Sequence, residues 1–416
     1  MFDQDNWQEI FATIKKNKLR TTLTAFGVFW GILMLVIMLG AGNGLHKGVM
    51  RDFQGSATNS FFMWTQKTSK PYQGLKPGRA FSFTNDDVTA LLQINGLASV
   101  APAGQLGDYE GSNNVTRGIK TGVFAVLGEL PAFTTIESTN VSSGRFINDL
   151  DIREKRKIAV IGKRAKEILF EKDTNPIGEW ICINGIYFKV VGVTTPSGST
   201  KADEQAQQIF IPFSTFQYAF NFGNKVGWFS IRSKDNVPAS EAEENALVLL
   251  RKRHNISPDD RMAIGHWNME KEFNKINGLF IGINWLVWFV GIGTLIAGVI
   301  GVSNIMLIVV KERTKEIGVK RALGATPLSV MAQLLMESIF LTSIAGYLGL
   351  LAGLGLLELV SSLMPPGGSG MFSNPEVHLN VVLTALSVLI VAGAFAGMIP
   401  ARRAVQISPV EALRSE

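Results

Sequence analysis

Between Leu279 and Val310 the chain carries no charged residue. Fully helical, that run would reach roughly 48 Å at ~1.5 Å per residue, more than the ~30 Å hydrocarbon layer of a bilayer. A helix of that length, apolar on every side, is read as a membrane span. Three more runs meet the length criterion: Thr22 to Gly42, Ser338 to Leu357 between Glu337 and Glu358, and Leu379 to Ile399 before Pro400. The predicted spans are 21–42, 279–310, 327–358 and 379–400. The first follows Lys15, Lys16, Lys18 and Arg20, as a secretory signal would. Its apolar core exceeds the roughly 7–15 residues of a signal, so it reads as a retained anchor.

Lysine and arginine orient the spans. Residues 1–20 carry four, segment 311–326 carries Lys311, Arg313, Lys315, Lys320 and Arg321, and the tail carries Arg402, Arg403 and Arg414. Segment 358–378 carries none. Positive charge in short connections marks the cytoplasmic side. An N-terminal helix (1–20), the 311–326 connection and the tail (401–416) are therefore predicted inside, and 43–278 and 359–378 outside. The fold class is a membrane protein with four transmembrane helices, 1 + 3, and a large α/β extracytoplasmic domain between spans one and two. The net charge of +6 then belongs to cytoplasmic connections facing membrane lipid, with no nucleic-acid partner.

Leu45, Val49 and Phe53, and Phe273, Ile276, Phe280 and Ile283, keep helical spacing beyond the apolar cores. Both helices are predicted to continue outward as stalks. Within 54–272, FFMWT (61–65), KIAVIG (157–162), QQIFIPF (207–213), WFSIRS (228–233) and RMAIGHW (261–267) read as strands. ICINGIYFKVVGV (181–193) reads as a hairpin turning at Asn184-Gly185. Helices are predicted over 86–94, 164–170 and 240–253. Ser240 is the expected cap of the last, with Glu241, Glu243 and Glu244 at its positive end and Arg251, Lys252 and Arg253 at its negative end. Strand–helix–strand order occurs at both ends of the domain. It predicts a ferredoxin-like lobe split by an insertion that holds the hairpin.

Chemistry-bearing constellations are missing from the pattern. A single cysteine, Cys182, excludes an intramolecular disulfide and a multi-cysteine zinc site. His46, His254, His266 and His378 share no i,i+4 pair, so no metal site is predicted. Asp86 and Asp87 read as helix-start residues, and Arg153, Lys155, Arg156 and Lys157 as a solvated turn. Cys182 reads as a small packed strand residue. Gly291, Gly293, Gly298 and Gly301, and Gly346, Gly349, Gly353 and Gly355, are spaced for close helix contacts. No span carries a charge at its centre, which argues against an intramembrane ion path.

The connection KERTKEIGVKRALGATP (311–327) has its own logic. Gly324 stops a short helix, Thr326 caps the next and Pro327 opens it. Ile317 and Val319 are apolar amid charge, as a helix docking into a partner's groove requires. This stretch resembles the cytoplasmic signature of the FtsX-like permease family, and of MacB-type ABC permeases in particular. NKLRTTLTAFGVFWGI (17–32), SGRFINDLDIREKRKIAVIGKRAKEILFEKDTNPIG (143–178), FKVVGV (188–193) and PARRAVQISPVEALRSE (400–416) are similar to family segments in the same order.

The resemblance implies that Glu312, Arg313, Glu316, Ile317, Gly318, Arg321, Gly324 and Ala325 contact an ATP-binding cassette ATPase. These 416 residues contain no GxxxxGK[ST]. The expectation is a permease subunit with no catalytic residues and no cofactor of its own, ATP residing on a separate ATPase. The resemblance further implies a second permease chain, identical or paralogous, a bacterial inner-membrane location, and transmission of ATP-driven motion to the periplasmic domain. For efflux it implies a periplasmic adaptor protein and an outer-membrane channel. A non-transporting regulator of a cell-wall hydrolase and a lipoprotein-releasing permease use the same scaffold and stand as alternatives.

Overall fold

The computed structural model describes residues 18–53, 57–107, 113–137, 139–172, 174–196, 202–364 and 379–406. Most of the predicted N-terminal helix (1–17), the outer connection (365–378) and the last part of the tail (407–416) lie outside the described residues. The chain divides into two compact units, Met1–Gly48 with Leu279–Glu416, and Val49–Gly278.

The first unit is helical. Helices run over Lys18–Phe53, Met269–Glu312, Pro327–Leu363 and Leu379–Gln406, with the short helix Thr314–Ala322 between the second and third. Among the described residues, three helices are long and apolar enough to cross a membrane: Ala25–Arg51, Met269–Glu312 and Pro327–Leu363. The first helix reaches Phe53, past its apolar core, and the second begins at Met269, before the uncharged run. Val28, Ile32, Val36, Leu295, Val302, Leu334, Leu350 and Ala396 form the interior of this unit. Its outside is equally apolar, with Trp285, Leu286, Phe289, Ile296 and Ile300 exposed. A surface this apolar fits hydrocarbon rather than water.

Glycine sets how closely these helices approach. A Cβ on Gly349 would stand 2.5 Å from the Phe29 carbonyl oxygen, and one on Gly353 would stand 2.9 Å from Val36 Cγ1. The Gly349-Leu350-Leu351-Ala352-Gly353 pattern is thus the seam between helices Pro327–Leu363 and Lys18–Phe53. Gly291 and Gly298 also meet the first helix, whereas Gly293, Gly301 and Gly355 have nothing within 4 Å.

The second unit is α/β. Its first lobe orders four strands as Leu97–Gln105, Trp228–Ser233, Ser60–Thr65 and Ile264–Asn268, every neighbour antiparallel. With helices Asn85–Leu91 and Ala239–Arg253 in the two crossovers, this is the ferredoxin-like arrangement. Phe61, Met63, Phe229, Ile231 and Ile264 are buried with Leu91, Leu247 and Leu250 of those helices in one core.

The insertion forms the second lobe. Strand Lys120–Glu129 pairs with Asn113–Arg117, which pairs with Trp180–Ile183, then Ile186–Thr195, Ile158–Gly162 and Gln208–Pro212. Gln208–Pro212 returns to pair in parallel with Lys120–Glu129. The ladder therefore closes into a six-stranded barrel, which removes its edges. The predicted hairpin lies within it. Asn184 (φ 44°) and Gly185 (φ 87°) adopt the left-handed geometry that a type I′ turn requires. Cys182 is partly packed, at intermediate exposure between buried Ile181 and Ile183.

Two buried carboxylates tie the first lobe together. Asp87 accepts from the Thr84 amide (2.8 Å) and hydroxyl (3.1 Å) and from Arg253 Nε (2.6 Å), and it meets His254 Nε2 at 2.8 Å. It joins the start of one helix to the end of the other, more than the helix-start role predicted. Glu243 meets Lys271 Nζ and His266 Nδ1, each at 2.6 Å, and Asn268 Nδ2 at 2.9 Å. It lies near the N-terminal end of its helix, as expected, and is in addition an interior anchor. Ser240 is not the cap. Pro238 occupies that position, and Ser240 donates its amide and hydroxyl to Glu270 in the first turn of the following long helix.

Burial alone would raise the Asp87 carboxyl. The hydrogen bonds from His254, Arg253 and Thr84 outweigh it and hold the group well below the ordinary carboxylate range. A depressed carboxyl contributes stability above its unfolded value, near 4, that is lost as pH falls through the folded value. Asp87→Asn should cost about 2–4 kcal/mol at neutral pH and flatten the acid limb of the unfolding curve below about pH 4. Chemical denaturation across pH would show this. Separately, Gly349→Leu should cost about 1–3 kcal/mol by forcing two helices apart, read as a lower unfolding temperature in detergent, while Gly355→Leu should be near neutral.

Candidate coupling site

The short helix between two long ones is built by local chemistry. At its start Thr314 Oγ1 donates back to the carbonyls of Val310 (3.1 Å) and Lys311 (2.8 Å). At its end Gly324 takes φ +102°, a conformation that side chains resist, and the Ala325 amide donates to Lys320 O at 3.0 Å. Thr326 then accepts the Ser329 amide at 3.3 Å with Pro327 at the first helical position. The chain reverses within a few residues.

One face of the helix is held against its own unit. Ile317 is buried in the same apolar cluster as Val330 and Leu334, and Gly318 is buried beside it. Arg313 sits at the joint. Its Nη1 is 3.7 Å from Glu337 Oε2 and its Nε 3.9 Å from Glu316 Oε2. Glu337 is 2% exposed. Arg321 Nη1 donates to the Val405 carbonyl at 2.8 Å, at the end of the last described helix. Ala325 packs partly against the cluster.

The other face is open. Glu312, Glu316 and Gly324 are exposed. So are Val319 (43%), Leu323 (83%) and Leu328 (72%). A shallow concavity lies alongside, lined by Arg313, Glu316, Ile317, Lys320, Val330, Gln333 and Leu334. An apolar ridge beside a charged groove is what an amphipathic docking contact needs. The eight residues singled out from sequence thus separate. Glu312, Glu316 and Gly324 face outward, Ile317 and Gly318 face inward, and Arg313, Arg321 and Ala325 brace the helix. Leu323 and Leu328 escaped the sequence reading, although both stand within a few residues of Val319. Among the described residues no cluster of three or more His, Cys, Asp or Glu could hold a metal ion.

Helices long and apolar enough to cross a membrane, with a large α/β unit beside them in the chain, define a membrane protein with a sizeable α/β domain. Residues 21–247 match the family of the MacB-like periplasmic core domain, and residues 288–409 match the FtsX-like permease C-terminal family. The chain belongs to the MacB-like, FtsX-like family of ABC transporter permeases. It is 30% identical over 98% of its length to the "Macrolide export ATP-binding/permease protein MacB" of Bdellovibrio bacteriovorus, covering 61% of that protein. It is 29% identical over 96% of its length to the "Pyoverdine export ATP-binding/permease protein PvdT" of Pseudomonas entomophila, covering 58%. The chain thus spans about three fifths of the length of the curated relatives it matches. The periplasmic region of MacB from Actinobacillus actinomycetemcomitans aligns with 55% of this chain and 97% of its own, at TM-score 0.44 and 19% identity.

Removing the Arg313 guanidinium takes the nearby positive charge from buried Glu337. Arg313→Ala should therefore lower stability by about 1–3 kcal/mol and make the 311–326 segment more accessible to protease. Arg313→Lys should recover part of this, and limited proteolysis in detergent distinguishes the two.

Proposed function

We propose that the chain is the permease component of a MacB-like ABC system that receives ATP-driven motion from an ATP-binding cassette ATPase at the helix Thr314–Ala322. The observation that carries this is the run of exposed apolar residues at one reversal, Val319 on a helix braced by Arg313, Arg321 and Ile317, Leu323 at its C-terminal cap and Leu328 in the first turn of the next helix. A helix needed only to connect two spans would leave polar residues there. The ridge supplies the apolar contact; Glu312 and Glu316 supply charge at its rim. Gly324 and Ala325 set the turn that aims the ridge.

Four spans complete the reading, Leu379–Gln406 serving as the fourth, with the Lys- and Arg-rich connections cytoplasmic and residues 43–278 periplasmic in a bacterial inner membrane. A second permease chain, identical or paralogous, would pair with this one as ABC permeases do, and motion would pass along the helices Lys18–Phe53 and Met269–Glu312 to the outer domain. Export of a periplasmic substrate is the favoured outcome, because relatives spanning nearly the whole chain are export proteins by name. An adaptor protein and an outer-membrane channel belong to that reading.

Val319→Asp with Leu323→Asp should reduce capture of a co-expressed ABC ATPase, and its stimulated ATPase rate, by roughly 10-fold or more, as loss of an interface anchor does. The Thr314–Ala322 helix should remain folded by protease resistance. Full ATPase coupling in the double variant would remove the docking assignment. Stimulation of the coupled ATPase by exported compounds would separate transport from hydrolase regulation, in which residues 54–272 bind a peptidoglycan hydrolase instead.

A further inference from the structure

Glu129 is the last residue of strand Lys120–Glu129. It is fully buried, and neither carboxyl oxygen has a hydrogen-bond partner. The Leu130 amide leans toward it without reaching hydrogen-bond geometry. A carboxylate left ionised in such a place is among the costliest groups a fold can bury.

Among the described residues, the elements that touch this strand end hold no positive charge, helix Phe213–Ala219 against Gly128 included; helix Lys163–Leu169, with Lys163, Arg164 and Lys166, meets the same strand near its other end at Gly122. The strands hydrogen-bonded on its two sides, Leu97–Gln105 and Gln208–Pro212, contain no charged residue, and neither does helix Phe133–Ile136. The next strand across the sheet, Trp228–Ser233, carries only Arg232, which is engaged by Asn59 and Asp235. The charged group that bears on Glu129 is Glu137, of like sign. Burial first, and repulsion from Glu137 second, push the Glu129 carboxyl well above the ordinary range.

The segment that follows is a strap. Leu130 packs partly against the main core, and Phe133 and Ile136 are buried. The Ile136 carbonyl accepts the Ala57 amide at 2.8 Å, close to where the first strand of the domain begins at Ser60. Leu127 and Glu129 share one face of their strand, and Leu127 packs with Phe133 and Phe210. The strap is therefore seated on the face that carries the unpaired acid.

We propose that Glu129 is a protonation switch in the extramembrane domain: neutral, it seals the strand end into the interior, and ionised, it leaves the interior and frees the strap Leu130–Glu137 from Ala57. The device is independent of the ATPase reading. A carboxyl raised on folding contributes stability below its unfolded value, near 4.5, that is lost as pH rises through the folded value. The direction is opposite to that of Asp87, so the two are separable.

The test compares full-length wild type, Glu129→Gln and Glu137→Gln in nanodiscs between pH 5 and 9. Unfolding is followed by tryptophan fluorescence, and protection of residues 130–137 by hydrogen exchange corrected for intrinsic rate. Wild type should lose about 4 °C or more of unfolding temperature relative to Glu129→Gln as pH rises, and protection of 130–137 should fall roughly 10-fold in wild type alone. Glu137→Gln should move the transition to lower pH by removing the like charge. Parallel wild-type and Glu129→Gln curves would overturn the proposal. So would unchanged protection of 130–137 in wild type across the range, a result that stands even if Glu129→Gln folds poorly.

Discussion

Hydrocarbon cannot hydrogen-bond, and the rest of this chain is arranged around that fact. Where the helices cross, every backbone group must be satisfied within its own helix, and side chains have no hydrophobic force to draw them together. Close packing has to supply the adhesion. Gly349 and Gly353 provide it by letting the third long helix lie against the Phe29 carbonyl and Val36. Inside the bundle the Ser338 hydroxyl donates to the Gly393 carbonyl at 3.1 Å, while charged interactions are displaced to the short connecting helix. Arg313 beside Glu337 and Arg321 on the Val405 carbonyl are both found there.

That displacement shapes the candidate coupling site. A helix of nine residues, Thr314–Ala322, is too short to be stable alone in water. It persists because Ile317 is buried, because Thr314 and Gly324 fix its two ends, and because two arginines reach from it to neighbouring helices. Fixing one face leaves the other free to carry function. Val319 and, at the C-terminal cap, Leu323 are exposed on the side that Ile317 and the two arginines do not hold.

Much of the fold was legible because its signals are local. Asn184-Gly185 announces a type I′ turn wherever it occurs between strand-like arms, and the turn is present. The two strand–helix–strand repeats foretell the four-strand order because crossover rules leave few alternatives. Long-range pairing was not legible. Gln208–Pro212 closes the barrel by lying parallel to Lys120–Glu129, and no periodicity in either strand encodes the other. At the coupling helix the apolar interruption was visible, but not its division of labour. Ile317 and Val319 are two residues apart, about 200° around a helix, so one faces in when the other faces out. Which of them faces in depends on Val330 and Leu334, which the local sequence does not reveal.

The same limit governs the acids of the α/β domain. Glu243, Asp87 and Glu129 are all almost completely buried. Glu243 sits on a helix rich in charge, yet gathers His266 and Asn268 from the last strand and Lys271 from the first turn of the long helix. Asp87 gathers Arg253 and His254 from a helix far along the chain. Glu129 gathers none. Asp87 and Glu243 stand beside other acids in the sequence and Glu129 stands among apolar residues, yet their different fates arise only when distant segments converge. A satisfied buried carboxylate locks a fold, because losing any donor strands its charge. An unsatisfied one does the opposite: it makes the surrounding packing conditional on a proton. The strands flanking Glu129 contain no charged residue that could rescue it by a small rearrangement. Relief therefore has to come from moving backbone, and in our proposal that backbone is the strap that begins at Leu130.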